Sequence, residues 1–221
     1  MNPMFHALGA AALLSSAMAA QAKVEITEWM YNGNGKTGEY IEFTNLGASA
    51  VDFSGWSFDD DSRNPGVTSL STLGLVAPGE SVLLVESSAA DFRSVWGLGA
   101  TVKIVGGNLA NLGRADEINL FDGAGQLVDR LSYGDVAIPG TVRAQNRSGN
   151  PGSLADLAPQ AVSTGWVLAA EGDAFGSHAS SLGDVGNPGL FTLAVPEPST
   201  YALLLGGLGL VGAVARRRRQ A

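Results

Sequence analysis

Three consecutive aspartates, Asp59, Asp60 and Asp61, form the densest cluster of charge in the middle of the sequence. Together with Asn64 they could offer oxygen ligands to Ca²⁺, a hard cation that prefers carboxylate and carbonyl oxygens. Their spacing differs from that of an EF-hand loop, in which ligands alternate and a distant glutamate closes the site. A solvated acidic loop between two strands explains the same residues. Calcium binding at residues 59–61 is therefore one of two interpretations, and no other cofactor is predicted.

Hydrolytic chemistry has little support in the sequence. A Ser-His-Asp arrangement would need His178, because the other histidine, His6, lies in an apolar N-terminal segment. No serine stands in a G-x-S-x-G motif. Paired carboxylates of the glycosidase type stay open, since any two acids could meet in space, but no pair stands out. We predict that the chain is not an enzyme and name no catalytic residue.

Composition points to a glycine-rich β protein. The chain has 221 residues, 30 of them glycine, and no cysteine, so thiolate chemistry and cysteine-ligated metals are excluded. Four of its 13 basic residues form a C-terminal cluster, which leaves nine basic against 21 acidic residues elsewhere. An acidic domain repels phosphate backbones. Nucleic-acid binding is therefore disfavoured.

The first 22 residues have the pattern of a secretion signal. An apolar run over residues 5–20 leads into Ala20-Gln21-Ala22, and charged Lys23 follows. Small residues three and one positions before the cut suit signal peptidase. We expect cleavage after Ala22, although the n-region carries no Lys or Arg. The alternative is an N-terminal helix of the folded domain.

Three features follow one another at the C-terminal end. They are Pro196, Glu197 and Pro198, then an apolar stretch over residues 200–215, then Arg216, Arg217, Arg218 and Arg219. The apolar stretch is short against the ~20 residues of an ordinary spanning helix. We predict a transmembrane helix there, with the arginines as a stop-transfer cluster that stays cytoplasmic and leaves the acidic domain outside.

This tripartite end closely resembles the PEP-CTERM sorting signal. The resemblance implies a Gram-negative envelope protein that is held transiently in the inner membrane. It also implies that an exosortase-type membrane protease recognises Pro196-Glu197-Pro198 and cuts near it. Proteins of this kind are associated with exopolysaccharide, biofilm or floc matrix. A plain C-terminal anchor is the alternative interpretation.

Alternating apolar residues, and one continuous apolar run at residues 81–85, predict about seven strands between the two ends. They are expected at residues 24–30, 39–43, 51–53, 81–85, 101–105, 117–121 and 127–133. One short helix is expected over residues 89–96, capped by Ser87 or Ser88. This spacing suits an all-β, two-layer sandwich. Glu28 and Glu42 interrupt apolar strands, and we expect outward-facing or turn-bonding carboxylates. Residues 134–190 are predicted to form an irregular extension that Trp166 pins to the sandwich.

The order of these segments resembles that of bacterial lamin tail domains. The matching motifs include residues 39–45 (EYIEFTN), 51–56 (VDFSGW), 75–80 (LVAPGE) and 186–189 (GNPG). In the first strand, Thr27 stands where this family usually has asparagine. The resemblance implies an immunoglobulin-like β-sandwich that binds or spaces and does not catalyse.

Together these patterns predict a signal peptide at residues 1–22, a lamin-tail-like domain at 23–190 and a sorting signal at 191–221. The leading hypothesis is an exported protein of the cell surface or extracellular matrix. Its expected partners are signal peptidase, an exosortase-type protease, the membrane, and exopolysaccharide or other envelope components. A matrix-polysaccharide hydrolase and a permanently anchored surface protein are the alternatives.

Overall fold

The computed structural model describes residues 23–192, and two β-sheets packed face to face form the framework of this part of the chain. The predicted signal peptide, the sorting motif at 196–198, the predicted transmembrane helix at 200–215 and the arginine cluster lie outside the described residues. Within residues 23–192, no helix is both long and apolar enough to cross a membrane.

The larger sheet has six strands and the smaller has five. The larger sheet has the spatial order β13 (Trp166–Leu168), β11 (Gly149–Pro151), β1 (Val24–Met30), β2 (Tyr40–Asn45), β7 (Ser81–Val85) and β8 (Lys103–Val105). The smaller has the order β12 (Ala161–Val162), β10 (Leu127–Gly134), β9 (Ala115–Phe121), β4 (Ser57–Asp59) and β5 (Thr68–Ser69). Most neighbours are antiparallel, while β7 with β8 and β10 with β12 are parallel.

Short elements complete the described part of the chain. Two further strand pairs are β3 (Val51–Asp52) with β6 (Leu75–Val76), and β14 (His178–Ala179) with β15 (Val185–Gly186). One α-helix, α1, spans Ala89–Trp96. Short 3-10 helices lie at Gly35–Thr37, Ser71–Leu73, Leu154–Leu157 and Ser163–Gly165.

The main core lies between the two sheets. Inward-facing residues of β1 and β2, such as Ile26 and Phe43, meet Ile118 of β9 and Leu131 of β10 in one apolar cluster. The ring of Trp29 stacks on Tyr133 of the opposite sheet with a centroid distance of 4.0 Å. Burial of these side chains at ~25 cal/mol per Å² of apolar surface is the main force that holds the sheets together.

The outer face of the larger sheet is apolar at one end, where α1 covers it. Phe92 and Trp96 of the helix pack on Tyr40 and Leu83. The helix begins where Ser88 accepts a hydrogen bond from the Asp91 backbone, and it ends at Gly97 in the left-handed conformation. The predicted helix over residues 89–96 is therefore confirmed, with Ser88 as its cap.

The predicted strands are present with small shifts of their ends, but the prediction of an irregular extension is wrong in part. The segment after β10 adds β11 and β13 to the edge of the larger sheet and β12 to the smaller one. Trp166 lies in the main core, as expected. These strands have only two or three residues, too few for alternation of apolar and polar residues to appear in the sequence.

Candidate functional site

Polar side chains occupy the other end of the outer face of the larger sheet. Alternation along β2 and β7 turns Glu42, Thr44 and Ser81 outward, and the hydroxyls of Thr44 and Ser81 lie 2.7 Å apart. A β-bulge in β1 places both Thr27 and Glu28 opposite Glu42. The bulge therefore brings one more polar side chain to this surface than a regular strand would.

Residues 185–189, here called the closing segment, cover this polar surface. Oε1 of Glu28 accepts hydrogen bonds from the Asn187 backbone N–H at 2.8 Å and from the Tyr40 hydroxyl at 2.6 Å. Oε2 of Glu42 accepts one from the Gly189 backbone N–H at 2.8 Å. Glu28 and Glu42, here called the carboxyl clamp, thus bind the main chain of the closing segment at two points. Both carboxylates are turn-bonding, as the sequence led us to expect.

Hydroxyl groups orient the second member of the clamp. Thr27 donates to Oε1 of Glu42 at 2.7 Å and also lies 2.7 Å from the Thr44 hydroxyl. The Thr27 side chain can reach Glu42 and Thr44 because the bulge turns it to the outer face of the sheet. The threonine that replaces the usual asparagine therefore supports Glu42 directly.

Both clamp carboxyls have raised pKa values. Burial, and after it the charge of Glu42, raise the pKa of Glu28 from 4.5 to about 8. Burial also raises the pKa of Glu42 to about 7, although hydrogen bonds from Thr27 and Gly189 act in the opposite direction. Burial and the nearby Glu28 carboxylate raise the pKa of the Tyr40 hydroxyl well above its ordinary value. The clamp therefore holds protons near neutral pH.

The clamp is sealed from solvent. Glu28 and Glu42 are both 0 % exposed. At Gly186, a methyl group would come within 2.3 Å of the Tyr40 hydroxyl and 2.9 Å of Oε1 of Glu28. Perturbed carboxyls often mark active sites, but a substrate could reach this pair only if the closing segment moved. The arrangement as it stands holds a segment of the chain.

The three consecutive aspartates differ in their surroundings. Asp59 is buried, and its Oδ2 accepts hydrogen bonds from the Ser62 hydroxyl and the Asn64 backbone N–H. Asp60 accepts one from the Ser62 backbone N–H, and Asp61 is exposed. Within the described residues, no three His, Cys, Asp or Glu side chains are grouped so that they could hold a metal ion. The geometry gives Asp59 and Asp60 a role in bonding the loop, and calcium binding stays a prediction.

His178 is exposed at the start of β14. Its ring packs edge-on against Trp96 with a centroid distance of 5.8 Å, and its Nε2 lies 3.4 Å from the Trp96 carbonyl oxygen. These contacts give the imidazole a place in packing β14 against α1.

Two grooves lie along the edge of β8. A groove of about 550 Å³ separates β5 from β8, and its lining contains no titratable side chain; it comprises Val67, Thr68, Ser69, Val105, Gly106, Gly107, Leu109 and Ala110. A smaller groove of about 250 Å³ lies beside Gly189 and contains Glu80. That carboxylate forms an ion pair with Lys103 at 2.9 Å.

Other buried carboxyls were missed by the sequence reasoning. Burial raises the pKa of Glu39 to about 8, and burial together with Asp129 raises that of Glu25 to about 7. Asp129 itself accepts a hydrogen bond from the Ile26 backbone, 103 positions away, at 2.8 Å. Nothing in the local sequence marks these acids as buried, because the chain that covers them is distant in sequence.

The comparisons with known proteins add the class of protein to this geometry. A family model of the PEP-CTERM protein-sorting motif matches residues 194–219, which defines an exported protein that an exosortase processes. A family model of the lamin tail domain matches residues 17–135, more than half of the 221-residue chain. The chain belongs to the lamin tail domain family, and its sandwich is immunoglobulin-like. No curated protein matches it. The extension and the closing segment lie beyond the lamin tail match.

Proposed function

We propose that this chain is a non-catalytic binding or spacing module of the cell envelope or exopolysaccharide matrix. In this proposal residues 1–22 are a signal peptide that signal peptidase removes, 23–190 the working domain and 191–221 the sorting signal. An exosortase-type protease cuts near Pro196, Glu197 and Pro198 and releases the domain from the inner membrane.

The order of the C-terminal features supports this route. Four arginines in succession stop transfer and stay on the cytoplasmic side, so the domain lies outside. The proline-flanked glutamate then comes at the outer boundary of the membrane. The two prolines disfavour helical backbone there and leave the chain extended, a form that a protease can engage. Only about 15 apolar residues follow, fewer than the ~20 of a permanent anchor.

The chemistry of the described surface supports a non-catalytic role. The strongly perturbed Glu28 and Glu42 carboxyls are sealed under the closing segment and bond its main chain. The groove between β5 and β8 offers hydroxyl, backbone and aliphatic groups and no group able to transfer a proton. Two observations together carry the proposal: the perturbed carboxyls are sealed inside the domain, and a sorting motif matches residues 194–219.

Incubating the mature domain with purified matrix polysaccharide, from a strain that makes an exosortase, tests the proposed binding role. We expect the mature domain to sediment with the polysaccharide while the polymer's chain length and reducing ends stay constant. A heat-unfolded sample of the same protein is the control for non-specific adsorption. A steady rise in reducing ends would instead support the hydrolase. If the domain neither binds nor cleaves the polysaccharide, the matrix role is refuted.

A further inference from the structure

The closing segment is the last part of the domain before the sorting tail. Gly189, which the clamp binds, precedes Pro196 by seven residues. Seven residues span at most ~25 Å. Phe191, two residues after Gly189, packs against the main core. The closing segment and Phe191 together therefore set how near the sorting motif stays to the folded domain.

The clamp is one polar attachment of this segment to the larger sheet. The other is the Val185 backbone, which forms hydrogen bonds with the Asn146 carbonyl and the Ser148 N–H just before β11. Glu28 and Glu42 lie opposite each other across β1 and β2, and each accepts a backbone N–H of the closing segment. Oε2 of Glu28 is buried and has no hydrogen-bond partner among residues 23–192. A carboxylate in this position is poorly solvated, whereas a protonated carboxyl loses much less on burial.

The groups that face the clamp are known for each neighbouring element. β2 supplies Tyr40, β7 supplies Ser81, and β11 is preceded by Ser148, whose hydroxyl lies near Glu28. The closing segment presents only backbone N–H groups to the clamp. Asp184, just before it, bonds Asn34 and Asn146 instead. His178 pairs with Gly186 across β14 and β15, and its ring lies on Trp96. In the described part of the chain, no basic side chain is among the groups that bond the two clamp carboxyls.

We propose that the carboxyl clamp is a proton-dependent latch, which holds the root of the sorting tail against the domain when it is protonated and releases the closing segment when both carboxyls ionise. Release would lengthen the free chain ahead of the sorting motif and give a membrane protease more room. The latch thus makes the separation between domain and sorting motif depend on external pH.

The direction of the effect follows from the pKa of each state. In the closed state the pKa of Glu28 is raised to about 8, whereas an open, hydrated carboxyl keeps its ordinary 4.5. Protons therefore favour the closed state. Its extra stability is complete below the ordinary pKa of about 4.5 and is lost as pH rises through the closed-state pKa of about 8.

Hydrogen exchange on the full-length chain in detergent micelles tests the latch. Protection of the Asn187 and Gly189 amides, corrected for the intrinsic exchange rate, should fall about tenfold per pH unit between about pH 5 and 8 for one clamp proton. Protection of the β7 amides should change less, because they report opening of the whole sheet. A parallel fall at β7 and in the closing segment would overturn a local latch.

Glutamine variants separate ionisation from packing. Glu28→Gln and Glu42→Gln keep a carbonyl acceptor but cannot ionise, so each should flatten the pH dependence in the closing segment. Glu171→Gln, at an exposed carboxylate, is the matched control and should keep the parental profile. If the glutamine variants fail to fold, the pH dependence of protection in the parent protein alone tests the latch. A flat parental profile from pH 5 to 8, or an unchanged slope in folded Glu28→Gln and Glu42→Gln, would overturn the proposal.

Discussion

A methyl group added at Gly186 should destabilise the domain because it enters the sealed clamp. Its Cβ would lie 2.3 Å from the Tyr40 hydroxyl, 2.9 Å from Oε1 of Glu28 and 3.0 Å from the Ser148 hydroxyl. Tyr40 cannot yield easily, since its ring packs against Phe92 and Trp96. Overpacking costs about 1–3 kcal/mol. Loss of the hydrogen bond from Tyr40 to the buried Glu28 adds about 1–3 kcal/mol.

We therefore expect Gly186→Ala to lower the free energy of unfolding by about 2–6 kcal/mol. The Tm should fall by roughly 4–24 °C for a domain of this size. Urea unfolding followed by tryptophan fluorescence measures the change. Gly99→Ala is the matched control, because its nearest neighbour, the Thr101 hydroxyl, would lie 3.9 Å from the new methyl. Equal stability of the two variants would refute the close packing described for the clamp.

Two further perturbations test other parts of the account. Trp166→Ala should lower the free energy of unfolding by about 3–5 kcal/mol, because it empties a buried site that ties the extension to the main core. Limited proteolysis should then cut the extension before the rest of the domain. Simultaneous cleavage of both sheets would contradict this. Millimolar Ca²⁺ separates the two interpretations of residues 59–61: the Tm should stay unchanged if Asp59 only bonds Ser62 and Asn64. A rise that Asp61→Asn abolishes would instead support the calcium site.

The long elements of the sandwich could be predicted because their signals are local. Alternation over seven or eight residues marked β1 and β10, a continuous apolar run marked β7, and the Ser88 cap marked the start of α1. β11 and β13 gave no such signal, since they are three residues each. They form because β1 offers a free edge that the returning chain can pair with.

The carboxyl clamp could be predicted only in part from the sequence. Glu28 and Glu42 could be expected to face outward and to bond a turn, because they interrupt apolar strands at outward positions. Their complete burial could not, because the cover arrives from residues 159 positions after Glu28 and 147 after Glu42. The β-bulge at Thr27 was equally hidden. A single extra residue in a strand leaves no compositional mark, yet it decides which side chains meet.

The burial of four glutamates makes the domain less negative than its composition indicates. Acidic residues outnumber basic ones in this chain, but Glu25, Glu28, Glu39 and Glu42 are inside the fold and hold protons more tightly than exposed carboxyls do. The negative charge that the domain carries near neutral pH is therefore smaller than its composition indicates. It should become more negative, and less stable, as pH rises.

The most direct test of the central claim is the mass and location of the mature protein in cells with and without the sorting protease. We expect loss of residues 1–22 in both strains. With the protease, the tail beyond the Pro196–Pro198 region should also be removed and the domain should be found outside the inner membrane. Without it, the protein should stay in the inner membrane with Arg216–Arg219 attached. A mature protein that keeps these arginines in the strain with the protease, or identical trimming in both strains, would contradict the account.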